Sequence, residues 1–229
     1  MSIPYQLTRS KRKTIGLYIN KGELDVRAPL QVSVKEIEEF IHSKQDWINR
    51  HLKAQQQQLD MYPEKQMVDE QQFHYLGSPL SLKIEEGTSG LSWLSGHELK
   101  VTVPRRVKDS NKPSYIKKQI RQWYESKAQR HYNERCDHWA DQIGVMHKQV
   151  VVKNYASKWG CCYADRTVAF NWRLMMAPDF VIDYVVVHEL CHIKHMNHSQ
   201  RFWRLVYKHF ERTPEAKAWL KSHFLMLEL

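Results

Sequence analysis

Between residues 185 and 203 the chain reads VVVHELCHIKHMNHSQRFW, which places His188, Glu189 and His192 together and His198 ten residues after the first histidine. On a helix, positions four apart lie about 40° out of phase and roughly 6 Å apart along the axis, so His188 and His192 can address one ion. Zinc of the catalytic kind takes three protein ligands and leaves a position for water, and HExxH supplies two of those ligands plus Glu189 as a base. The pattern therefore asks for a third ligand downstream. His195 would lie on the same helical face but about 10 Å further along, too far for three imidazoles to share an ion held at about 2 Å. The helix must stop first. Met196-Asn197 offers the turn, asparagine tolerating the left-handed conformation that ends helices, and His198 then swings back to the ion. Ser199 follows as a cap for another helix, with Phe202, Trp203, Leu205, Val206 and Phe210 on its core side.

Those ligands need a rigid support. Pro178 and Asp179 suit the start of a helix, and the run Val185-Val186-Val187 implies one buried on most sides, where paired histidines with an acid between them fit a metal site. Before it, QVVVKNY and TVAFNWRL read as two strands of a hairpin with ASKWGCCYADR as the connecting loop. Adjacent Cys161 and Cys162 lack the two-to-four-residue separation of zinc-thiolate pairs and read as structural. Arg173, at the end of the second strand, either holds an anionic group of a substrate or pairs with a carboxylate. Further upstream, Ile116, Ile120, Trp123, Tyr124, Ala128, Tyr132, Cys136, Trp139, Ala140 and Ile143 recur every three or four residues. They predict one long amphipathic helix, starting near Asn111 and Pro113 and ending at Gly144. Its other face carries Lys117, Lys118, Arg121, Lys127, Arg130 and Arg135, a solvent-facing set that offers a surface for polyanions.

The N-terminal part is richer in strand signals. TIGLYIN and ELDVRAP flank a break at Asn20-Lys21-Gly22 and predict a hairpin. Ser33 stands three residues before Glu36, and Ile37, Phe40, Ile41, Trp47, Ile48 and Leu52 extend a helix over 33–52 that packs on the hairpin. The glutamine tract 55–58 and the Tyr62-Pro63 region read as a linker, and short alternating segments over 73–103 predict a β-meander. The expected fold class is α+β. A β-rich region, 1–105, precedes a catalytic region, 106–229, with its long helix, hairpin and HExxH helix, the two forming one continuous unit.

Composition narrows the setting. In 229 residues, 35 Lys and Arg against 25 Asp and Glu give a net charge of +10, which favours polyanionic partners such as nucleic acid or nucleotides. No apolar run reaches the 18 or so residues of a membrane span. The start, MSIPYQLTRSKRK, lacks the apolar stretch of a secretory signal. Cys136, Cys161, Cys162 and Cys191 form no disulfide framework, so a cytoplasmic location is expected. Oligomeric state leaves no trace in the sequence.

Residues 154–203 resemble the signature of the YgjP-like family of zincin-type metal-dependent hydrolases, relatives of SprT-like and WLM metallopeptidases. The resemblance is carried by NWRL, VVVHEL, HMNHS and RFW, and extends to SKRKTIGLYIN, DWINRHL and YLG earlier in the chain. It implies one zinc ion on His188, His192 and His198, with Glu189 as catalytic acid and base. Where the family often has SRWGSC, this chain has Ser157-Lys158-Trp159-Gly160-Cys161-Cys162, so no arginine or serine role carries over there.

Metal-assisted hydrolysis follows: Glu189 accepts the proton of the attacking water and returns it to the leaving group, and Arg173, Lys158 or Tyr184 supplies a further electrophile. Kinship implies a peptide substrate. A nucleoside triphosphate such as UTP is the rival, since cations beside an activated water also suit a phosphoanhydride. A third expectation is a nucleic-acid-binding protein with structural zinc, against which stands the absence of a fourth, cysteine ligand suitably spaced from His198.

Overall fold

The structure is a computed structural model that describes residues 3–20, 22–88, 90 and 92–229. Two compact units divide the chain, Met1–Glu64 and Lys65–Leu229. The boundary expected at 105/106 thus moves back, and the strands that follow residue 71 group with the long helix.

In the first unit, β1 (Tyr5–Ser10), β2 (Gly16–Asn20) and β3 (Glu23–Pro29) form a sheet of order β1-β3-β2. The predicted hairpin is present, Gly16 facing Arg27 and Asn20 facing Glu23, while Lys21 of its turn lies outside the described residues. β1 adds a parallel neighbour to β3 that the sequence did not signal. Alternation along β3 buries Leu24, Val26 and Ala28.

The helix expected over 33–52 is two helices, α1 (Val34–Ser43) and α2 (Gln45–Met61). Ser33 and Glu36 cap α1 reciprocally, the serine hydroxyl accepting from the Glu36 N–H and the Glu36 carboxylate accepting from the Ser33 N–H. The chain breaks at Lys44, whose N–H turns back to the Ile41 and His42 carbonyls. Ile37, Ile41 and Ile48 close over β3, so the helices do pack on the sheet. The glutamine tract belongs to α2 and not to a linker. Glutamine is a good helix former, and the Gln55 side chain accepts from the Gly22 N–H at 2.6 Å.

The second unit opens with β4 (Gln72–Tyr75), β5 (Ser78–Gly87), β6 (Ser92–Ser95) and β7 (Glu98–Pro104). Their order is β4-β5-β7-β6, with β5 and β7 parallel, so this is not the simple meander expected. The short β6 folds back on the outer side of β7, leaving β7's other edge for β5. Leu91, part of the LSWLS segment, lies outside the described residues.

α3 (Lys112–Ile143) is the long helix predicted, with Pro113 in its first turn and Gly144 ending it at φ 70°. Its apolar stripe buries Tyr124 and Tyr132, which meet Trp172 and Phe170. Each such fully buried large side chain contributes roughly 2 kcal/mol of transfer free energy.

β8 (Gln149–Lys153), β9 (Gly160–Cys162) and β10 (Thr167–Asn171) form the last sheet, ordered β8-β10-β9. The hairpin expected between 149–155 and 167–174 is corrected here. β8 and β10 run parallel, and the antiparallel partner of β10 is β9, inside the stretch read as a loop. A 3-10 turn, Trp172–Met176, leads to α4 (Asp179–Cys191), then α5 (Gln200–His209) and α6 (Thr213–Ser222). α4 is buried on most of its circumference, as its valine run predicts. Among the described residues no helix is long and apolar enough to cross a membrane.

Candidate metal centre

α4 ends at Cys191, earlier than the break expected at Met196-Asn197, so His192 caps the helix rather than extending it. The N–H groups of Ile193, Lys194 and His195 close a turn onto Leu190 and Cys191 carbonyls. The His192 ring is held at 3.0 Å from Nδ1 to the His195 carbonyl, which leaves Nε2 turned to the cleft. His195 therefore contributes its backbone and not its imidazole. Asn197 closes the next turn by accepting from the Ser199 N–H at 3.3 Å, and Ser199 occupies the N-cap position of α5 without a side-chain capping bond.

His198 comes back to within 3.0 Å of His188, Nε2 to Nε2, and one ligand atom from each of His188, His192 and His198 lies within 4.8 Å of the others. Tetrahedral ligation at about 2.0–2.1 Å places nitrogens roughly 3.3 Å apart, so the set fits zinc with small side-chain adjustments. Phe202 of α5 stacks on His192 with centroids 4.4 Å apart, and Trp203 stacks on His198 at 5.6 Å. His188 Nδ1 is buried without a hydrogen-bond partner, and the ring is positioned by Tyr184, Phe202 and Trp203 instead. Burial, helped by His192, His198 and Lys217, drives the His188 pKa down to about 3, so its imidazole is neutral as ligation requires.

Glu189 is buried, 6% exposed, on the side of α4 that faces β9. Burial pushes its carboxyl up to about 7, against the pull of the Cys162 N–H and the Lys158 ammonium. A cation held on the histidines would draw it down again. Gly160 lies against it: a Cβ there would stand 2.6 Å from Glu189 Cγ and 2.7 Å from Oε1. The strand can approach this closely only because residue 160 has no side chain.

His188, Glu189, His192 and His198 all face one cleft of about 590 Å³, with Lys158 and Tyr184 in its walls. Burial pushes the Tyr184 hydroxyl up to about 12, with Glu189 adding to the shift, which keeps it a proton-bearing donor. Arg173 is placed elsewhere. It lies over the Trp172 ring and engages Asn154 and Glu228, the latter at 3.7 Å, so the carboxylate-pairing alternative describes it and the substrate-contact alternative does not.

Two residues beyond those singled out in the sequence shape the site. Gly160 was hidden within the presumed loop. Asn171, 2% exposed, donates from Nδ2 to the Tyr155 and Lys158 carbonyls, and its N–H donates to the Trp159 carbonyl. It thereby fixes the segment that carries Lys158 and Gly160; its only sequence signal is a buried-strand position next to a loop.

A family model described as the YgjP-like metallopeptidase domain matches residues 13–223. The chain belongs to this family. The membership fits the zincin resemblance and the α+β class, and it makes the protein a metallopeptidase-like hydrolase whose family binds a divalent metal. The crystal structure of the metallopeptidase zymogen of abylysin from Pyrococcus abyssi is similar at 23% identity and a TM-score of 0.36, over 39% of this chain and 93% of that one. No curated protein matches the chain.

Proposed function

We propose that this protein is a zinc-dependent peptidase that holds one zinc ion on His188, His192 and His198 and cleaves polypeptide in the cleft beside them. The observation that carries this reading is the convergence of three imidazole nitrogens next to a buried carboxyl, at the bottom of an open cleft. Zinc bound there supplies Lewis acidity, lowering the pKa of water towards about 7 and polarising a carbonyl. Glu189 takes the proton from the attacking water on its carboxylate and hands it to the leaving amine. The Tyr184 hydroxyl is poised to donate to the oxygen that gains charge. Gly160 and the Cys162 N–H hold the Glu189 side chain in place.

β9 favours a peptide over a nucleotide. Among the described residues it is an edge strand, paired only with β10, and its residues Gly160, Cys161 and Cys162 line the cleft, so an extended chain can pair with the edge backbone groups that Glu189 does not take. A three-histidine set that opens onto a cleft also favours a catalytic over a closed structural zinc. The four free thiols support a reducing compartment, and we place the activity in the cytoplasm.

Zinc-loaded protein and its Glu189→Gln variant are incubated with an unfolded protein and, separately, with UTP. New peptide termini are expected from the wild type alone, with zinc retained in the variant. Release of pyrophosphate without new termini overturns the peptidase reading in favour of the phosphoanhydride.

A further inference from the structure

Glu189 is the single carboxylate among the described residues lining the cleft, yet three lysines line it too. They come from two walls. Lys158 stands just before β9, and Lys217 and Lys221 lie four apart on α6, with Leu220 between them also facing the cleft. The spacing puts both α6 lysines on one helical face.

Two of these cations are propped rather than neutralised. The Lys158 ammonium rests 4.5 Å from the Tyr155 ring centroid, and the Lys217 ammonium 4.5 Å from that of Trp203, the residue that stacks on His198. Among the described residues neither is in an ion pair with a carboxylate. Both are near the reacting groups, Lys217 bearing on His188 and Lys158 on Glu189. Aromatic rings hold a cation in place without cancelling its charge. An unneutralised cation on each side of a cleft is a receptor for anions, and it repels a substrate that is itself basic.

We propose that Lys158 and Lys217 make this site select polypeptides with a carboxylate flanking the scissile bond. The inference rests on the peptidase reading and deepens it to a substrate class. The carboxylate comes from an Asp or Glu side chain or from a free C-terminus close to the cut. Chemistry is left to Glu189, Tyr184 and the metal ligands, and the lysines act on binding, so their contribution appears chiefly in KM and weakens with salt.

The test uses full-length, zinc-loaded protein and a mixture of peptides random in sequence, capped at both ends, with cleavage sites read by mass spectrometry. Asp and Glu should be enriched next to the cut roughly twofold to fivefold, and Lys and Arg depleted. The variants Lys158→Gln and Lys217→Gln should each reduce that enrichment, Lys217→Gln through KM rather than kcat, and Lys158→Gln in kcat as well through the lost pull on the Glu189 carboxyl. In a second arm the C-termini are left free: enrichment there alone supports the proposal with the terminal carboxylate as its source. Cleavage without acidic enrichment in either arm, or enrichment untouched by the lysine variants, overturns this inference while the peptidase reading stands. No cleavage of any peptide by the wild type overturns both.

Discussion

Gly160 leaves no room for a side chain beside Glu189: a methyl at position 160 would come within 2.6 Å of Glu189 Cγ and 2.7 Å of Oε1. Gly160→Ala must therefore push the side chain of the proposed base out of place or pull β9 away from α4. A displacement near 1 Å at a catalytic group costs on the order of a hundredfold in rate. We expect Gly160→Ala to lose about that much in kcat/KM on an unfolded protein while its zinc content, read by elemental analysis, stays at the wild-type level.

Metal content checks the ligand set directly. Purified wild type is expected to carry about one equivalent of zinc, and His188→Ala to carry close to none. Because the ion binds the folded state, chelation should lower wild-type stability by about 2–4 kcal/mol in denaturant titrations and leave His188→Ala unchanged. Full zinc in that variant would remove His188 from the site.

Asn171 reaches the site only through the segment it holds. Asn171→Ala leaves the Tyr155 and Lys158 carbonyls without their donor and costs about 1–3 kcal/mol of stability in chemical unfolding. Zinc stoichiometry should be intact, and kcat/KM should fall less than in Gly160→Ala.

α3 and α4 are tied by a two-pronged ion pair, Arg135 Nε to Asp183 Oδ1 at 2.6 Å and Nη2 to Oδ2 at 2.7 Å, partly shielded from water. Arg135→Ala leaves Asp183 unpaired one turn before His188, and we expect a loss of about 1–3 kcal/mol in chemical unfolding. Arg135→Ala/Asp183→Ala should recover part of it, and strict additivity of the two single losses would deny the coupling.

At the turn joining β9 to β10, the Asp165 carboxylate accepts from Lys148 at 2.9 Å and from the Thr167 N–H and hydroxyl at 3.0 Å, which hold its pKa down at about 2. A carboxyl whose folded-state pKa is depressed contributes stability above its unfolded value, near 4, and loses it as pH falls towards the folded value. The stability gap between wild type and Asp165→Asn should be full at about pH 5 and close steadily between about pH 4 and pH 2. A gap that does not narrow over that range would assign the difference to packing.

The periodic parts of this fold are legible in the chain. α3 and α4 follow from apolar stripes, and His198 follows from asking where a third imidazole must come from. Strand order is not, because alternation along β5 and β7 and the continuous apolar runs of β8 and β10 record which faces are buried and are silent about which edge pairs with which. β9 spans three residues, Gly160–Cys162, too few for any period. Arg173 illustrates the same gap for side chains. Its partner Glu228 lies far along the chain, and no local pattern announces that the arginine is already engaged. Lys44 breaks a stripe that continues on either side of it, since α1 and α2 each present isoleucines to the same sheet.

The bond from the His192 ring to the His195 carbonyl lies inside the segment that delivers His198. Residues 193–197 therefore work as a ruler. Their backbone fixes which nitrogen of His192 faces the cleft and how far the chain travels before the third imidazole. Exchanging an exposed side chain such as Met196 leaves the ruler intact. Adding or removing a single residue there should shift the register of His198 and break up the three-imidazole cluster with every histidine still in the chain.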